Sequence, residues 1–261
     1  PYVKSNKNDA RDAEAVCEAM SRPHMRFVAV KTVEQQDFQA VHRIRAELVS
    51  QRTAKANQLR GLVAEYGLVA PQQLARLRAA VPGWLEDAEN GLTERFRRLL
   101  SGLWDDLKTL DRRVAELDYE INMIAQGDPV ATRLQQLRGV GPMVATALVA
   151  AVGNAEHFAN GRQMAASLGL TPKQHSSGGK DRLLGISKRG DAHLRSLLIH
   201  GARSVIRTAR LKDDRLSRWV IRIAQRRHPN VAAVALANKT ARIAWAMLRR
   251  GVDYEPDYIA A

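Results

Sequence analysis

Apolar residues recur every three or four positions through the middle of the chain, which is the period of an amphipathic helix. The first run of this kind is Phe38, Val41, Ile44 and Leu48. It predicts a helix from Glu34 to about Tyr66, which the turn residues at 67–71 are expected to end.

A second helix is predicted to begin after Pro82-Gly83 and to run to about Ala125. Its apolar positions alternate in spacing between three and four residues, as in a coiled-coil stripe: Leu100, Leu103, Leu107, Leu110, Val114, Leu117, Ile121 and Ile124. The flanking charged residues predict its exposed face, namely Asp105, Asp106, Lys108, Arg112, Arg113, Glu116 and Glu120. We therefore expect residues 34–127 to form a helical coiled-coil arm. A heptad seam does not specify its partner, so the arm is either an intramolecular hairpin or a contact in a homo-oligomer, a dimer or tetramer.

After Gly127-Asp128-Pro129 the sequence predicts a helix, a tight glycine turn and a second helix. Leu134 and Leu137 precede the turn Gly139-Val140-Gly141, and Pro142 suits the first position of the next helix. The glycines allow a tight turn and close approach of a ligand, and the amides of the new helix can bind a phosphate. The pattern resembles the helix-hairpin-helix motif of DNA-binding proteins that do not read sequence. The alternative is a compact helical corner without DNA.

The stretch from Phe158 to Arg195 is rich in glycine and small polar residues. It predicts a short helix ending at Gly169, a loop carrying Ser176 and Ser177, and a helix from about Asp191. Further helices are predicted near 194–206, 216–224 and 231–248, with Trp219 and Trp245 in the core. We expect a mainly α chain, and we expect His193, His200 and His228 to be solvated or bonded to the backbone.

Positive charge is concentrated in the C-terminal half. Residues 1–33 carry 6 basic and 4 acidic side chains, residues 34–127 carry 13 and 14, and residues 128–261 carry 22 and 9. Almost the whole net charge of +14 therefore lies in the last segment. Neutralising phosphates releases counterions and drives binding, so this segment favours a nucleic-acid partner.

Composition excludes several protein classes. A hydrophobic content of 45% argues against wholesale disorder. One cysteine, Cys17, excludes a disulfide framework and a cysteine-built zinc site. No run of eighteen apolar residues and no signal peptide are visible, so we expect no membrane partner and a reduced, cytoplasmic setting. The start at Pro1, without Met, suggests a fragment of a longer chain.

The sequence resembles the DEDD-type insertion-sequence transposases, the insertion-sequence-one-ten group, over nearly its whole length. The resemblance is carried by Leu137 to Leu148, Leu168-Gly169-Leu170-Thr171-Pro172, Ser177-Gly178, and Ile186-Ser187-Lys188-Arg189-Gly190 followed by Leu194-Arg195. It implies three parts: residues 1–33 as the end of a RuvC-like α/β domain, 34–127 as the arm, and 128–261 as the C-terminal transposase domain. Arg26 to Val30 is then expected to be a strand remnant of the first domain.

The same resemblance places two carboxylates of the DEDD set at Asp9 and Asp12. They lie three residues apart, on one face of a helix. Spacing alone is equally explained by Asp9 as a helix cap and Asp12 in the first turn. The resemblance instead implies a magnesium site, since Mg²⁺ binds a few carboxylates together with substrate phosphates. Its other two carboxylates are expected upstream of Pro1, so the site is expected to be incomplete here.

The chemistry implied by the resemblance is cleavage and rejoining of DNA strands through Ser177. Ser176 is the local alternative nucleophile. Candidate nucleic-acid contacts are Gly139, Gly141, Lys173, Lys180, Arg182, Lys188, Arg189 and Arg195. The resemblance further implies duplex DNA and a guide RNA as partners, in a DNA-associated prokaryotic enzyme. The alternative function is a non-catalytic DNA-binding module built on the helix-hairpin-helix-like element.

Overall fold

The structure is a computed structural model that describes residues 8–23, 25, 27–70 and 72–256. Within these residues the chain is mainly helical, as the sequence predicts, with ten helices and one small sheet. None of those helices is both long and apolar enough to cross a bilayer. The elements are α1 (Asp9–Met20), α2 (Val33–Ala64), α3 (Leu74–Glu86), α4 (Glu94–Gly127), α5 (Pro129–Leu134), α6 (Pro142–Val152), α7 (Gly161–Ser167), β1 (Pro172–Gln174), β2 (Leu183–Ile186), α8 (Ala192–Ala209), α9 (Arg215–Arg226) and α10 (Pro229–Arg250).

The arm is an antiparallel pairing of α2 with α4 within one chain. Alternate seam residues of α4 are fully covered, with Leu100, Leu107, Val114 and Ile121 at most 2% exposed. The seam therefore meets a helix of the same chain. The charged residues predicted for the exposed face are all exposed.

The connection between the two long helices differs from the prediction. Pro82 lies inside α3 and does not end a helix. Val81 and Leu77 on the same helix are fully buried at the tip of the arm, and this packing offsets the backbone hydrogen bond that proline cannot make. The break comes later, where Gly91 has a φ of +74° and Thr93 caps α4. Residues 34–127 thus hold three helices instead of two.

Apolar spacing predicts that α2 is helical but does not describe the whole of its buried face. Of the four apolar residues that predict this helix, Leu48 is buried, whereas Ile44 is 49% exposed. The face turned to α4 and the body carries polar residues, among them His42 and Arg45. A search for apolar positions passes over such residues because their burial depends on partners in other helices.

The body of the molecule is built around α6, which is apolar on every side. Seven of its 11 residues are buried, and it contacts α2, α4, α5 and α8. An all-round apolar helix is stable only inside a protein. Helix α10 packs against α7 and α8 through alanines such as Ala237 and Ala241, both fully buried. Small side chains let these helices approach closely.

The N-terminal segment contains α1, and residues 27–32 before α2 have no regular secondary structure. No strand forms at Phe27–Val30, where Phe27 and Val30 are 61% and 93% exposed. Arg26 and residues 1–7 lie outside the described residues. The predicted strand is therefore absent from the described part, where no neighbouring strand is present for it to pair with.

Candidate active site and nucleic-acid interface

The two serines lie at the tip of a β-hairpin that β1 and β2 form as antiparallel strands. We call residues 172–190 the serine hairpin. Positions 172–185 are all exposed, in contrast to the buried Leu168 and Leu170 just before them. The hairpin therefore presents its side chains to solvent and contributes almost nothing to the core.

The tip is a tight turn with two glycines at its centre. Ser177 pairs with Lys180, whose N–H donates to the Ser177 carbonyl at 3.1 Å. Gly178 and Gly179 have φ values of +57° and +75°. Positive φ at both central residues is the requirement of a type I′ hairpin turn, which glycine meets without strain. The geometry of the turn thus explains why glycine follows Ser177.

The base of the serine hairpin is held by two close backbone approaches. Gly169 and Gly190 have φ values of +68° and +79°. A Cβ on Gly190 would overlap the carbonyl oxygen of Ser167, and one on Gly169 would overlap that of Arg189. Any other residue at these positions would push the hairpin away from the end of α7.

Arg195 ties the same crossing together from α8. Its guanidinium donates to the carbonyl oxygens of Leu168 at 3.0 Å and Arg189 at 3.1 Å. Beside it, the N–H of Lys188, a residue with a φ of +56°, donates to the Gly169 carbonyl. Arg195, predicted to contact nucleic acid, is thus occupied in positioning the hairpin, and a direct contact to a ligand stays a prediction.

The two serines differ in what their hydroxyl groups do. Ser176 Oγ accepts a hydrogen bond of 3.2 Å from the N–H of Arg182 across the hairpin. No hydrogen bond of the Ser177 hydroxyl is found within the described residues. Ser177 Oγ is therefore exposed and available, whereas Ser176 Oγ helps to hold the hairpin.

Five cations lie on the same hairpin as the serines. Lys180 lies directly across from Ser177, so the two side chains share one face. All five are exposed, and none makes an ion pair with a described carboxylate: Lys173, Lys180, Arg182, Lys188 and Arg189. Exposed, uncompensated cations form a positive potential that attracts phosphate.

The predicted helix-hairpin-helix-like turn joins α5 to α6. Pro142 opens α6, as the sequence predicts, and Val140 in the turn is buried. Gly139 has a φ of +83°, and a Cβ there would strike the backbone of Gly201 in α8. A Cβ on Gly141 would meet nothing within 4 Å. Gly139 therefore serves packing, while the N-terminus of α6 at Gly141 remains open.

The cations beside this turn are engaged within the protein. Arg138 donates to Asp214 at 2.6 Å and to Ser217 at 2.8 Å. Arg133 pairs with Asp253 at 3.5 Å. Burial opposes ionisation of Asp214, but hydrogen bonds from Ser217 and the charge of Arg138 lower the pKa of this carboxyl.

The two predicted metal ligands lie in the first turn of α1, where Asn8 and not Asp9 caps the helix. Asp9 and Asp12 are both exposed, and α1 packs against no other described element. No group of three histidine, cysteine, aspartate or glutamate side chains suited to a metal is present in the described part. Two carboxylates on an open helix face do not fit a complete magnesium site.

A histidine pair that the sequence did not reveal links the arm to the base of the serine hairpin. His42 of α2 is 4% exposed, and its ring centroid lies 5.9 Å from that of His193 at the start of α8. His42 Nε2 is 2.9 Å from Thr146 Oγ1, whose hydroxyl donates to the Pro142 carbonyl. The hydroxyl therefore accepts from His42, which leaves Nδ1 as an unprotonated, buried acceptor.

Burial, together with the neighbouring His193 and Arg45, lowers the pKa of His42 to about 4. The prediction that His193 is solvated or bonded to the backbone is wrong, since its Nε2 is buried and has no hydrogen-bond partner among the described residues. The prediction holds for His200, which is exposed, and for His228, whose Nδ1 accepts from the backbone of Asn230.

A large groove runs along α10 and is bounded by α9, α7, the C-terminal residues 252–256 and the serine hairpin. Its volume is about 1650 Å³, and Leu184, Gly185 and Ile186 of the hairpin form part of its wall. We call it the α10 groove. Trp219 and Trp245, predicted as core residues, both pack against the core with one side and line this groove.

Comparisons with known proteins agree with the sequence motifs. The family described as "Transposase IS116/IS110/IS902 family" matches residues 131–216, which include the serine hairpin. The family DEDD_Tnp_IS110, described as "Transposase", matches residues 1–68.

Individual relatives match almost the whole chain. A probable family 20 transposase of Pseudomonas aeruginosa is 51% identical over 260 residues, which cover 98% of this chain and 76% of the relative. The transposase for insertion sequence element IS1111A of Coxiella burnetii is 47% identical, covering 97% and 70%. The transposase for IS1328 of Yersinia enterocolitica is 41% identical, covering 97% and 75%. The chain therefore belongs to the IS110/IS116/IS902 family of insertion-sequence transposases.

Proposed function

We propose that this chain carries the strand-transfer nucleophile of a DNA transposase, and that the nucleophile is Ser177. The observation that supports this most directly is the contrast between the two serines. Ser176 is hydrogen-bonded across the hairpin, whereas Ser177 has an exposed hydroxyl at a glycine turn. The family establishes a DNA-processing enzyme, and the residue and mechanism are our proposal.

The proposed step is a transesterification at phosphorus. The Ser177 hydroxyl loses its proton to solvent or a base, and Oγ forms a bond to the phosphorus of a DNA phosphodiester. The bond from phosphorus to one deoxyribose oxygen breaks, and that oxygen takes up a proton as a free DNA hydroxyl. A hydroxyl of another strand then attacks the phosphoserine diester and releases Ser177, so one phosphodiester replaces another without net hydrolysis.

The surrounding cations supply what this step requires electrostatically. Negative charge grows on the non-bridging phosphate oxygens as Ser177 attacks, and preorganised positive charge stabilises it. Lys180 is the cross-strand neighbour of Ser177, and Arg182 and Lys173 lie on the same short hairpin. Because the base of the hairpin is fixed by Gly169 and Gly190, these charges keep their position relative to the body.

Metal chemistry is a separate part of the proposal. The DEDD-type domain suggests that the family depends on a divalent metal, and Mg²⁺ at Asp9 and Asp12 is our assignment within it. These two carboxylates stand on an exposed helix without a third ligand among the described residues. We therefore derive no catalytic step through a metal bound to this chain.

The partners that we propose are nucleic acids, which the excess of positive charge in the C-terminal half favours. The family implies DNA as substrate, and the excess of basic residues in 128–261 suits duplex DNA and a guide RNA alike. We propose both as ligands of the active transposase, in a homo-oligomer. Because the α4 seam is already covered by α2, we expect such an oligomer to form through other surfaces.

The experiment is a matched pair of substitutions in the full-length transposase. Ser177→Ala is expected to abolish recombination of a donor and target plasmid, while Ser176→Ala retains it. Removal of an exposed hydroxyl costs under about 1 kcal/mol of stability, so thermal midpoints should match. A denaturing gel with labelled DNA, followed by peptide mapping, should find the covalent adduct on Ser177. An adduct on Ser176, or recombination by Ser177→Ala, contradicts the assignment, and DNA binding without any adduct favours a non-catalytic binding module.

A further inference from the structure

The α10 groove is a separate feature from the tip of the serine hairpin that carries Ser177, although Leu184 and Ile186 of the hairpin form part of its wall. Six cations line it, against two carboxylates, Asp253 and Glu255. The cations come from three helices, α7, α9 and α10, namely Arg162, Arg215, Arg222, Lys239, Arg242 and Arg250. Folding has therefore brought positive charge together here.

These cations are not neutralised by carboxylates within the part of the chain that the structure describes. Arginines elsewhere in the body pair with carboxylates, as Arg218 does with Asp213 and Arg249 with Glu156. No ion pair of the six groove cations occurs among the described residues. Burial, then Arg215 and Arg242, lower the pKa of Lys239. Six cations that share a groove with only two carboxylates favour an anionic ligand.

The floor of the groove is apolar and aromatic. Leu216, Trp219 and Ile243 line it and also pack on the core behind. Lys239 Nζ stands 4.8 Å from the centroid of the Trp219 ring, so one cation is held directly above the aromatic surface. The Trp219 indole N–H has no hydrogen-bond partner in the part of the chain that the structure describes, whereas that of Trp245 donates to the Phe158 carbonyl.

We propose that the α10 groove binds a segment of single-stranded nucleic acid, with phosphates on Arg215, Lys239 and Arg242 and unpaired bases against Trp219. A single strand presents phosphates and exposed base faces side by side, which matches a cationic rim over an apolar floor. A duplex hides its base faces and would leave that floor uncovered. The inference rests on the proposed function, since it names the form of nucleic acid that this domain holds.

The location of the groove adds a consequence for the serine hairpin. Leu184 and Ile186 of β2 line the groove, while Ser177 stands at the other end of the same hairpin. A strand held in the groove is thereby brought to the hairpin that carries the proposed nucleophile. Between Asn230 and Arg250 the groove follows α10 for roughly 30 Å at the helical rise per residue.

The test is binding of fluorescent oligonucleotides of about 16 nucleotides, the upper end of the site sizes of single-strand-binding folds. The affinity of the whole 261-residue chain is measured for single-stranded DNA, for single-stranded RNA of the same sequence and for the DNA duplex, and the three affinities are compared. The variant Arg215→Gln/Lys239→Gln/Arg242→Gln should lower single-strand affinity at least tenfold. It should also reduce the slope of log affinity against log salt by about 0.7 for each phosphate that the variant no longer neutralises.

Matched variants separate the groove from general charge. Arg218 lies on α9 like Arg215, but it pairs with Asp213 outside the groove. Arg218→Gln should therefore change single-strand affinity less than about twofold. Trp219→Leu should weaken single-strand binding about tenfold, by the size of base–aromatic stacking, and leave duplex binding unchanged. Trp219→Phe keeps an aromatic surface and should bind nearly as the parent, and Lys239→Arg keeps the charge.

Several results would overturn the proposal. These are single-strand binding unaffected by the triple variant, an equal reduction from Arg218→Gln, or an equal reduction of duplex and single-strand binding from Trp219→Leu. A polyaspartate peptide that displaces the oligonucleotide as well as unlabelled strand does would instead indicate an acidic protein partner. Circular dichroism melts of each variant show whether it is folded. If one of the other variants does not fold, the binding of Trp219→Phe and Lys239→Arg, compared with that of the parent, still tests the proposal.

The Ser177 adduct assay is run in the full-length transposase that carries the same groove substitutions. It distinguishes failure of the groove proposal from failure of the proposed function. Adduct formation together with single-strand binding that the groove variants leave unchanged refutes the groove alone. Groove-dependent single-strand binding without an adduct refutes the assignment of Ser177 alone. RNA bound more tightly than DNA in the groove would identify the guide as the occupant, and the reverse would identify a displaced DNA strand.

Discussion

The arm and the serine hairpin use the same charged residue types in opposite ways. Across the arm, Arg45 pairs with Asp118, Arg52 with Asp111 and Lys55 with Asp106, which also fixes α2 antiparallel to α4. On the hairpin, five cations have no such partners among the described residues. Charge in the arm joins helices, whereas charge on the hairpin stays unpaired among the described residues, and we propose that it binds a ligand.

The difference follows from composition. Residues 34–127 contain 13 basic and 14 acidic side chains, so nearly every cation can find a carboxylate. Residues 128–261 contain 22 and 9, which leaves at least 13 cations unmatched. Unmatched cations repel each other and are tolerated at a surface that binds an anion. The position of these residues, more than their number, therefore indicates the interface.

The largest expected effect comes from neutralising the hairpin. Lys180→Gln/Arg182→Gln should weaken duplex DNA binding and reduce the slope of log affinity against log salt by about 0.9 for each phosphate that is no longer neutralised. Stability should change by less than about 0.5 kcal/mol, since both residues are exposed. Fluorescence anisotropy across a salt series measures the binding, and urea titration measures the stability.

The matched control removes two positive charges from the arm. Lys108 and Arg112 pair with Asp105 and Glu116 on the same helix face. Lys108→Gln/Arg112→Gln lowers the net charge equally but should leave the salt slope unchanged. Equal weakening by both double variants would show that net charge alone drives binding, and would remove the distinction between arm and hairpin.

A smaller effect, on stability, is expected in the arm. Asp111 accepts from Arg78 of α3 through both carboxylate oxygens and pairs with Arg52 of α2 at 3.5 Å. One carboxylate thus joins three helices. Asp111→Asn should lower the free energy of unfolding by about 1–3 kcal/mol, the range for hydrogen bonds to charged groups. DNA binding of the folded protein should be unchanged.

Urea titration and anisotropy of the Asp111→Asn variant check this. Asp105→Asn is the control, because its pair with Lys108 is exposed and lies within one helix, so it should cost less than about 0.5 kcal/mol. If Asp111→Asn weakened DNA binding as strongly as the hairpin variant, the arm charges would belong to the interface as well.

Sequence patterns predicted the parts of this fold that depend on local rules. Gly169 and Leu170 close α7 with the expected turn, as the N–H groups of both residues bond back to Ala166 and Ala165. Asp191 caps α8 where a helix is expected to begin. These features depend only on residues adjacent in the sequence, so a local sequence pattern is enough to predict them.

The features that sequence patterns miss depend on packing between distant segments. Pro82 is tolerated in a helix because Leu77 and Val81 are buried by other helices. His42 is buried because it meets Thr146 and His193, which lie far along the chain. The α10 groove likewise combines residues from 160 to 256. No local periodicity carries such information, and the role proposed for Ser177 rests on resemblance instead.

The last expected effect is a pH dependence at the junction of the arm and the body. His42 has its pKa lowered to about 4, mainly by burial, so between about pH 6.5 and 4 the unfolded state binds a proton that the folded state does not. Stability should therefore be fully present above pH 6.5 and fall with decreasing pH, by at most about 1.4 kcal/mol per pH unit. Urea titrations at pH 7.5, 6 and 5 — values chosen to bracket about pH 6.5 — measure this slope. His42→Leu should flatten the slope, since Thr146 keeps its bond to Pro142, whereas His200→Gln, at an exposed position, should leave it unchanged. An unaltered slope in His42→Leu would mean that groups other than His42 set the acid sensitivity, and would contradict the prediction.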